Sequence, residues 1–207
     1  FVNRKKIILF ICLLGVGIGL FFVLRFYQIF FWSNTTFKNE YFYIFIDRDD
    51  TIDSLKIELN SFLKSTVDFD IAAEKKGYTK RILPGKYRIM KGMGNNQIIN
   101  TLRSERLATR VVFNNQERLE DLVGRLSIQI EADSLELLTA FQDSIFLADK
   151  GFNKKNALTM YIPNSYDVFW DITPADFRKR MLDYHDFFWN EKIIAKAIAL
   201  KLNQKEF

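Results

Sequence analysis

From Ile7 to Leu24 the chain runs for 18 positions without a charged or strongly polar side chain. Beyond this run, short alternating and helical periodicities take over. At 1.5 Å per residue the run makes about 27 Å of helix, most of a bilayer's hydrocarbon core. Phe26 to Trp32 extend it. Ser33 to Glu40 then reads as a short polar tether, and Tyr41 to Ile46, aromatic and β-branched, as a strand. Asp49, Asp50 and Thr51 offer N-cap side chains to a helix whose apolar residues Ile52, Leu55, Leu59, Phe62 and Leu63 keep helical spacing. A second short helix, Asp68 to Lys76, stops at Gly77, a residue suited to leaving a helix. Pro84-Gly85 turns the chain into a strand at Tyr87 to Met90. Strand, helix, helix, strand form one βααβ unit.

The later pattern predicts a helix around Gln97 to Arg103, a strand at Thr109 to Phe113 and a helix at Gln116 to Ile130. Further helices are expected at Leu135 to Phe141, Pro174 to Phe188 and Glu191 to Leu202. The fold class is therefore α+β: an N-terminal transmembrane helix, a βααβ module, then the start of a mixed α/β domain. The domains are expected at 1–32 for a basic tip and anchor, 33–40 for the tether, 41–113 for the module with its following helix and strand, and 114–207 for the rest. The chain opens on Phe1 and stops at Phe207 after an amphipathic pattern, as expected of a piece of a longer protein.

Charge changes the picture once it is located. Of 30 basic side chains, Arg4, Lys5, Lys6 and Arg25 lie in residues 1–32, which hold no acid; the other 26 face 25 acidic groups. A body so near neutrality has no overall field for a polyanion, and nucleic acid is excluded as a partner. The basic tip puts the N-terminus in the cytoplasm and the bulk of the chain outside, on an inner-membrane anchor spanning residues 7–32. Arg25 can snorkel to the interface, where Tyr27 and Trp32 suit an aromatic belt. A cleaved signal peptide should show small residues where Arg25-Phe26-Tyr27 stand, and a lipoprotein should show them before Cys12, which follows Phe10-Ile11.

Candidate chemistry is sparse. Cys12 is the single cysteine and His185 the single histidine, too few for a zinc site built from these residues. His185, among aromatics on a helix, reads as a packed or surface residue. Asp47, Asp49, Thr51, Asp53 and Glu58 match an EF-hand count, but Ile52 stands where that loop needs glycine, so capping explains them. Gly92 and Gly94 suit a strand-to-helix turn and lack the Gly-Lys-Ser/Thr of a phosphate cradle. The segment Met160 to Trp170 interleaves aromatics with an amide, a hydroxyl and a proline. Such a set suits a sugar platform, with Tyr161, Pro163, Asn164, Ser165 and Tyr166 as candidate substrate-binding residues. A packed loop with satisfied polar groups explains it equally well.

At Leu83-Pro84-Gly85-Lys86-Tyr87-Arg88-Ile89 and Gly92-Met93-x-x-Asn96-x-Ile98-Ile99-x-x-Leu102-Arg103 the chain resembles the YceG-like (MltG) family of bacterial endolytic murein transglycosylases. Pro163-Asn164-Ser165-Tyr166 is similar to that family's Pro-Asp/Asn-Thr/Ser-aromatic signature. The resemblance implies one membrane span, a LysM-like module and a catalytic domain outside the cytoplasmic membrane. It implies a lyase that cuts MurNAc–GlcNAc bonds in nascent peptidoglycan strands, leaves 1,6-anhydroMurNAc ends, and uses no metal or organic cofactor. Its expected partners are peptidoglycan glycan strands and the membrane, with cell-wall synthesis enzymes as candidates. The family's catalytic glutamate is expected beyond Phe207, so none of these residues is assigned as catalytic; Glu206 has too polar a setting for a raised-pKa acid. The segment 33–207 alone is expected to bind glycan weakly or not at all and not to cleave it. A non-enzymatic wall-binding module and an envelope or division scaffold are the alternatives.

Overall fold

The computed structural model describes residues 4–200 of the chain, which divides into two compact units, residues 1–106 and 107–207. The first begins with α1 (Arg4–Phe31), long and apolar enough to cross a membrane, its apolar side chains exposed over most of its length. β1 (Tyr41–Ile46) pairs antiparallel with β2 (Gly85–Met90), with Tyr41 opposite Met90 and Ile46 opposite Gly85. Between them run α2 (Ile52–Leu59) and α3 (Thr66–Lys75), and α4 (Asn95–Ser104) follows. The expected strand, helix, helix, strand order is present.

Local chemistry sets these bounds. Thr51 caps α2, its hydroxyl accepting from Ser54 N while Ser54 Oγ accepts from Thr51 N at 2.8 Å. Ser65 caps α3 through Asp68 N at 3.1 Å. Gly77, with φ at 67°, turns the chain out of that helix region. One strand face buries Ile44, Ile46, Tyr87 and Ile89 against Leu55, Leu59 and Phe69 of the helices. The other face leaves Tyr41, Tyr43 and Phe45 open, with Lys86 Nζ 4.3 Å from the Tyr43 ring centre.

Residues 33–36, read above as the start of a tether, are built into this unit. Asn34 and Thr35 are buried, and isolated bridges join Ser33 to Gly94 and Thr35 to Leu63. The end of α1 is also more than an extension of an apolar span: Ile29 and Phe30 sit in the unit's core. The polarity of Asn34, Thr35 and Thr36 reflects hydrogen bonding to distant backbone, which looks like solvation when the sequence is read locally, whereas Lys38, Asn39 and Glu40 are exposed.

The second unit contains β3 (Ala108–Phe113), α5 (Leu119–Ser127), α6 (Ser134–Phe141), α7 (Ser144–Asp149), β4 (Asn164–Phe169), α8 (Pro174–Phe188) and α9 (Glu191–Ala199). β3, grouped above with the first module, pairs antiparallel with β4, Val111 lying opposite Tyr166. Gln129 takes a strand's place on the other edge of β3, accepting from Val112 N at 2.9 Å and donating to Val112 O at 3.1 Å. The core joins Val111 and Val168 of the strands to Leu122, Leu137, Phe141 and Phe177 of the helices. Pro174 at the first turn of α8 and Thr173 as its cap explain why that helix starts where the sequence predicts. α7 and β4 are not anticipated by the sequence reading. Glu206 and residues 201–202 lie outside the described residues.

Candidate functional site

The second unit carries a cleft of about 450 Å³, within the range of small-ligand sites. Three chain segments build it. β3 ends at Phe113 and delivers Asn114, Asn115 and Gln116 to the rim. A short 3₁₀ turn at Ala157–Met160 leads Thr159, Tyr161 and Pro163 into it. The end of α8 contributes Phe188 and Trp189, packed edge to face with ring centres 5.6 Å apart.

The polar rim is preorganised. Gln116 Nε2 donates to Asn114 Oδ1 at 2.7 Å and to Asn114 O at 3.1 Å, which fixes both amides. Thr159 Oγ1 donates to Asn156 O at 2.8 Å and retains acceptor capacity. Trp189 is held by its backbone N–H on His185 O at 3.0 Å. None of the described residues lining the cleft is an Asp or Glu, and Lys155 supplies its cation. Amides, a hydroxyl and half-open aromatic rings can bind a neutral, hydroxyl-rich ligand by hydrogen bonding and stacking.

The residues proposed from sequence are divided by the structure. Tyr161 and Pro163 line this cleft. Asn164 and Tyr166 line a neighbouring hollow of about 420 Å³ with Tyr184, Phe187 and Phe188. Ser165 is exposed on β4, its N–H donating to Asn164 Oδ1 at 2.7 Å. Tyr161 and Tyr166 are each only 4% exposed, so their rings are core rings and form no open stacking platform. Tyr161 stacks on Phe141 at 4.5 Å, and burial lifts its phenol well above the ordinary value. Tyr166 packs on Phe113 and donates its hydroxyl to Ile162 O; burial pushes it up to about 12. The cleft's aromatic surface comes instead from Phe188, read from sequence as the end of a helix, and from the partly exposed Trp189 after it.

His185 is buried, with Nδ1 3.0 Å from Asp186 Oδ1 and its ring edge-on to Phe152. In the first unit, Gly92 N donates to Thr35 Oγ1 at 2.8 Å and Asp50 Oδ2 accepts from Asp47 N at 2.8 Å, so the glycine loop and the acidic run both serve turns. Asn114, Asn115, Gln116, Lys155, Thr159, Phe188 and Trp189 are among the cleft residues that sequence reasoning missed. Their local signal was an amide run directly after a strand and an indole directly after a helix.

No curated protein matches the chain. Among solved structures, a crystal structure of the yceG-like protein lmo1499 from Listeria monocytogenes is similar, with 16% identity and a TM-score of 0.44. The likeness covers 80% of this chain and 60% of that one. The sequence profile of the YceG-like family matches residues 44–207, most of the chain and parts of both units, and the protein belongs to the YceG-like family.

Proposed function

We infer that this chain is the membrane-held, glycan-binding part of a peptidoglycan lytic transglycosylase. The observation that carries the reading is the family match running through the unit that holds an amide-lined, aromatic-edged cleft. Phe188 and Trp189 offer faces for pyranose rings, and Asn114, Asn115, Gln116 and Thr159 offer partners for hydroxyl and acetamido groups. The first unit's strand, helix, helix, strand arrangement supports a LysM-like module. Arg4, Lys5 and Lys6 at the start of the apolar helix support an N-terminus in the cytoplasm and residues 33–207 outside it.

The reaction breaks the bond between C1 of a muramoyl residue and the O4 of the next glucosaminyl residue. A glutamic acid, expected after Phe207, protonates that leaving oxygen. Its carboxylate then accepts the proton of the muramoyl 6-hydroxyl as O6 closes on C1, so no water is consumed. A two-carboxylate hydrolase differs in needing a water and leaves a reducing end. The described cleft residues hold and orient the strand in this scheme.

The test is mass spectrometry of purified glycan strands incubated with the native polypeptide in detergent. Release of 1,6-anhydro ends, weakened by Trp189→Ala, is expected. Reducing ends alone overturn the lyase reading, and strand binding without cleavage establishes a wall-binding module instead. The segment 33–207 alone is expected to release no anhydro product.

A further inference from the structure

The uncharged run of α1 ends at Leu24, but the helix continues without a break to Phe31. Its last two turns belong to the first unit. Arg25 Nη2 lies 2.8 Å from Asp68 Oδ1 in the first turn of α3, and Arg25 Nη1 donates to Gln28 Oε1 at 3.1 Å. Asn95 Nδ2 donates to Ile29 O at 2.7 Å, an acceptor left open at the helix end. Asn95 Oδ1 accepts from Asn34 Nδ2 at 2.7 Å, and Asn34 also holds both Ser65 O and Ser65 N at 2.8 and 2.9 Å. Gly94 approaches so closely that a Cβ there would stand 2.8 Å from the carbonyl oxygens of Phe31 and Trp32. This buried, mutually satisfied network is a rigid joint between helix and unit.

A rigid joint fixes height as well as orientation. With Ile7 to Leu24 in the hydrocarbon, Arg25 marks its polar boundary, and the ion pair brings Asp68 to the same level. Val67, the preceding residue, is 67% exposed, and Ile57, 78% exposed, lines the same shallow hollow with Asn60, Lys56 and the two carboxylates paired to it, Asp53 at 2.9 Å and Asp70 at 3.3 Å. Tyr27 is exposed on α1 around this height, and Trp32 is exposed just past the helix end. Exposed apolar side chains beside charges already neutralised in the pairs Arg25–Asp68 and Lys56–Asp53/Asp70, with an interfacial tyrosine, match the boundary between lipid headgroups and acyl chains.

We propose that the first unit sits on the outer face of the bilayer that holds α1, locked there by the Arg25–Asp68 and Asn34–Asn95 contacts, with Val67 and Ile57 in the headgroup–acyl boundary. The proposal rests on the reading of α1 as a membrane span. The occupant of this surface is the lipid interface continuous with the span. The unit therefore has no free tether on which to swing.

The experiment uses the full chain in nanodiscs of phosphatidylethanolamine and phosphatidylglycerol. A polarity-sensitive bimane on the native Cys12 reports the span, and the same label on Val67→Cys or Ile57→Cys, each with Cys12→Ala, reports the seating. The expected result is deep doxyl-lipid quenching at Cys12 and shallow doxyl-lipid quenching at 67 and 57. Iodide should quench the last two several-fold less than the free dye. A lipid-quenched Cys12 label with iodide-accessible labels at 67 and 57 overturns the seating and leaves the span intact. An iodide-accessible Cys12 label overturns the span and the seating together. Both probe positions are exposed, so circular dichroism is expected to show an unchanged fold.

Discussion

Asn34 and Asn95 of the first unit are buried and hydrogen-bonded to each other, to Ser65 and to the end of α1. In the second unit Tyr161 Oη, His185 Nε2 and Arg178 Nε are equally enclosed, yet none has a hydrogen-bond partner among the described residues. Tyr78 Oη is the first unit's own exception. An enclosed polar atom without a partner costs about 1–3 kcal/mol, so the two units use buried polarity differently. In the first it holds a joint, and removing any member exposes the others. In the second one such atom, Tyr161 Oη, belongs to a residue of the cleft wall, where stability is given up beside a surface that can take a ligand.

The largest effects test whether the apolar cores beneath these groups are comparable. Phe69→Ala in the first unit and Phe141→Ala in the second each remove a fully buried ring. Each should cost about 3–5 kcal/mol in denaturant unfolding of the detergent-solubilised chain. A much smaller loss at Phe141 would show a loosely packed second core, since that ring supports Tyr161. The polar contrast comes next. Asn95→Ala takes one of two acceptors from Asn34 Nδ2 and strands Ile29 O and should cost about 2–3 kcal/mol, whereas Tyr161→Phe deletes a hydroxyl without a partner and should be neutral or stabilising by roughly 1 kcal/mol. Equal losses at the two positions would break the comparison.

How far the sequence announces each region follows from the range of the interactions involved. α8 is legible to the residue because its start signals, Thr173 and Pro174, are adjacent. α7 is not, since six residues behind an Asp143 cap are too short to show a helical period. β4 is legible in principle: Tyr166 and Val168 point inward while Ser165, Asp167 and Phe169 alternate outward, a period of two masked by aromatic richness. That alternation also places Tyr166 in the core, and attention to it would have removed the residue from a stacking role. The joint of the first unit is illegible locally, because Asn34 meets a partner 61 positions away. The cleft is illegible for the same reason: Asn114 and Trp189 meet only after β3, β4 and α8 have packed.

A smaller effect separates binding from stability in the second unit. Trp189→Ala removes aromatic surface from the cleft edge, and with it the partly buried indole's packing on Phe188 and His185. Loss of one stacked ring should weaken binding of purified glycan strands about tenfold, roughly 1.4 kcal/mol, with a smaller loss of stability from the packing removed. Asn34→Ala should do the reverse, leaving strand binding at the cleft intact while destabilising the first unit. If Trp189→Ala lowers stability as much as binding, the indole is a packing residue and the cleft reading loses its main support.

The smallest expected effect is electrostatic and concerns Asp143. Its carboxylate caps α7, accepting from Ile145 N and Phe146 N, and lies 3.2 Å from Arg178 Nη1. The Phe146 N–H, then the Arg178 guanidinium and the Ile145 N–H, hold it below the ordinary value of 3.8, against partial desolvation that pushes it up. A carboxyl depressed in the folded state binds its proton less readily than in the unfolded chain. Its stabilising contribution is therefore complete above the ordinary carboxylate value and is lost as pH falls from there through the lower folded value. Asp143→Asn keeps a capping oxygen and removes the titration. The thermal midpoint of the native chain should fall more between pH 7 and pH 3 than that of the variant, and the two should run parallel from pH 5 to 8. Parallel curves down to pH 3 would mean that solvent screens the carboxylate's charge completely and that Asp143 serves α7 only as a neutral capping oxygen would.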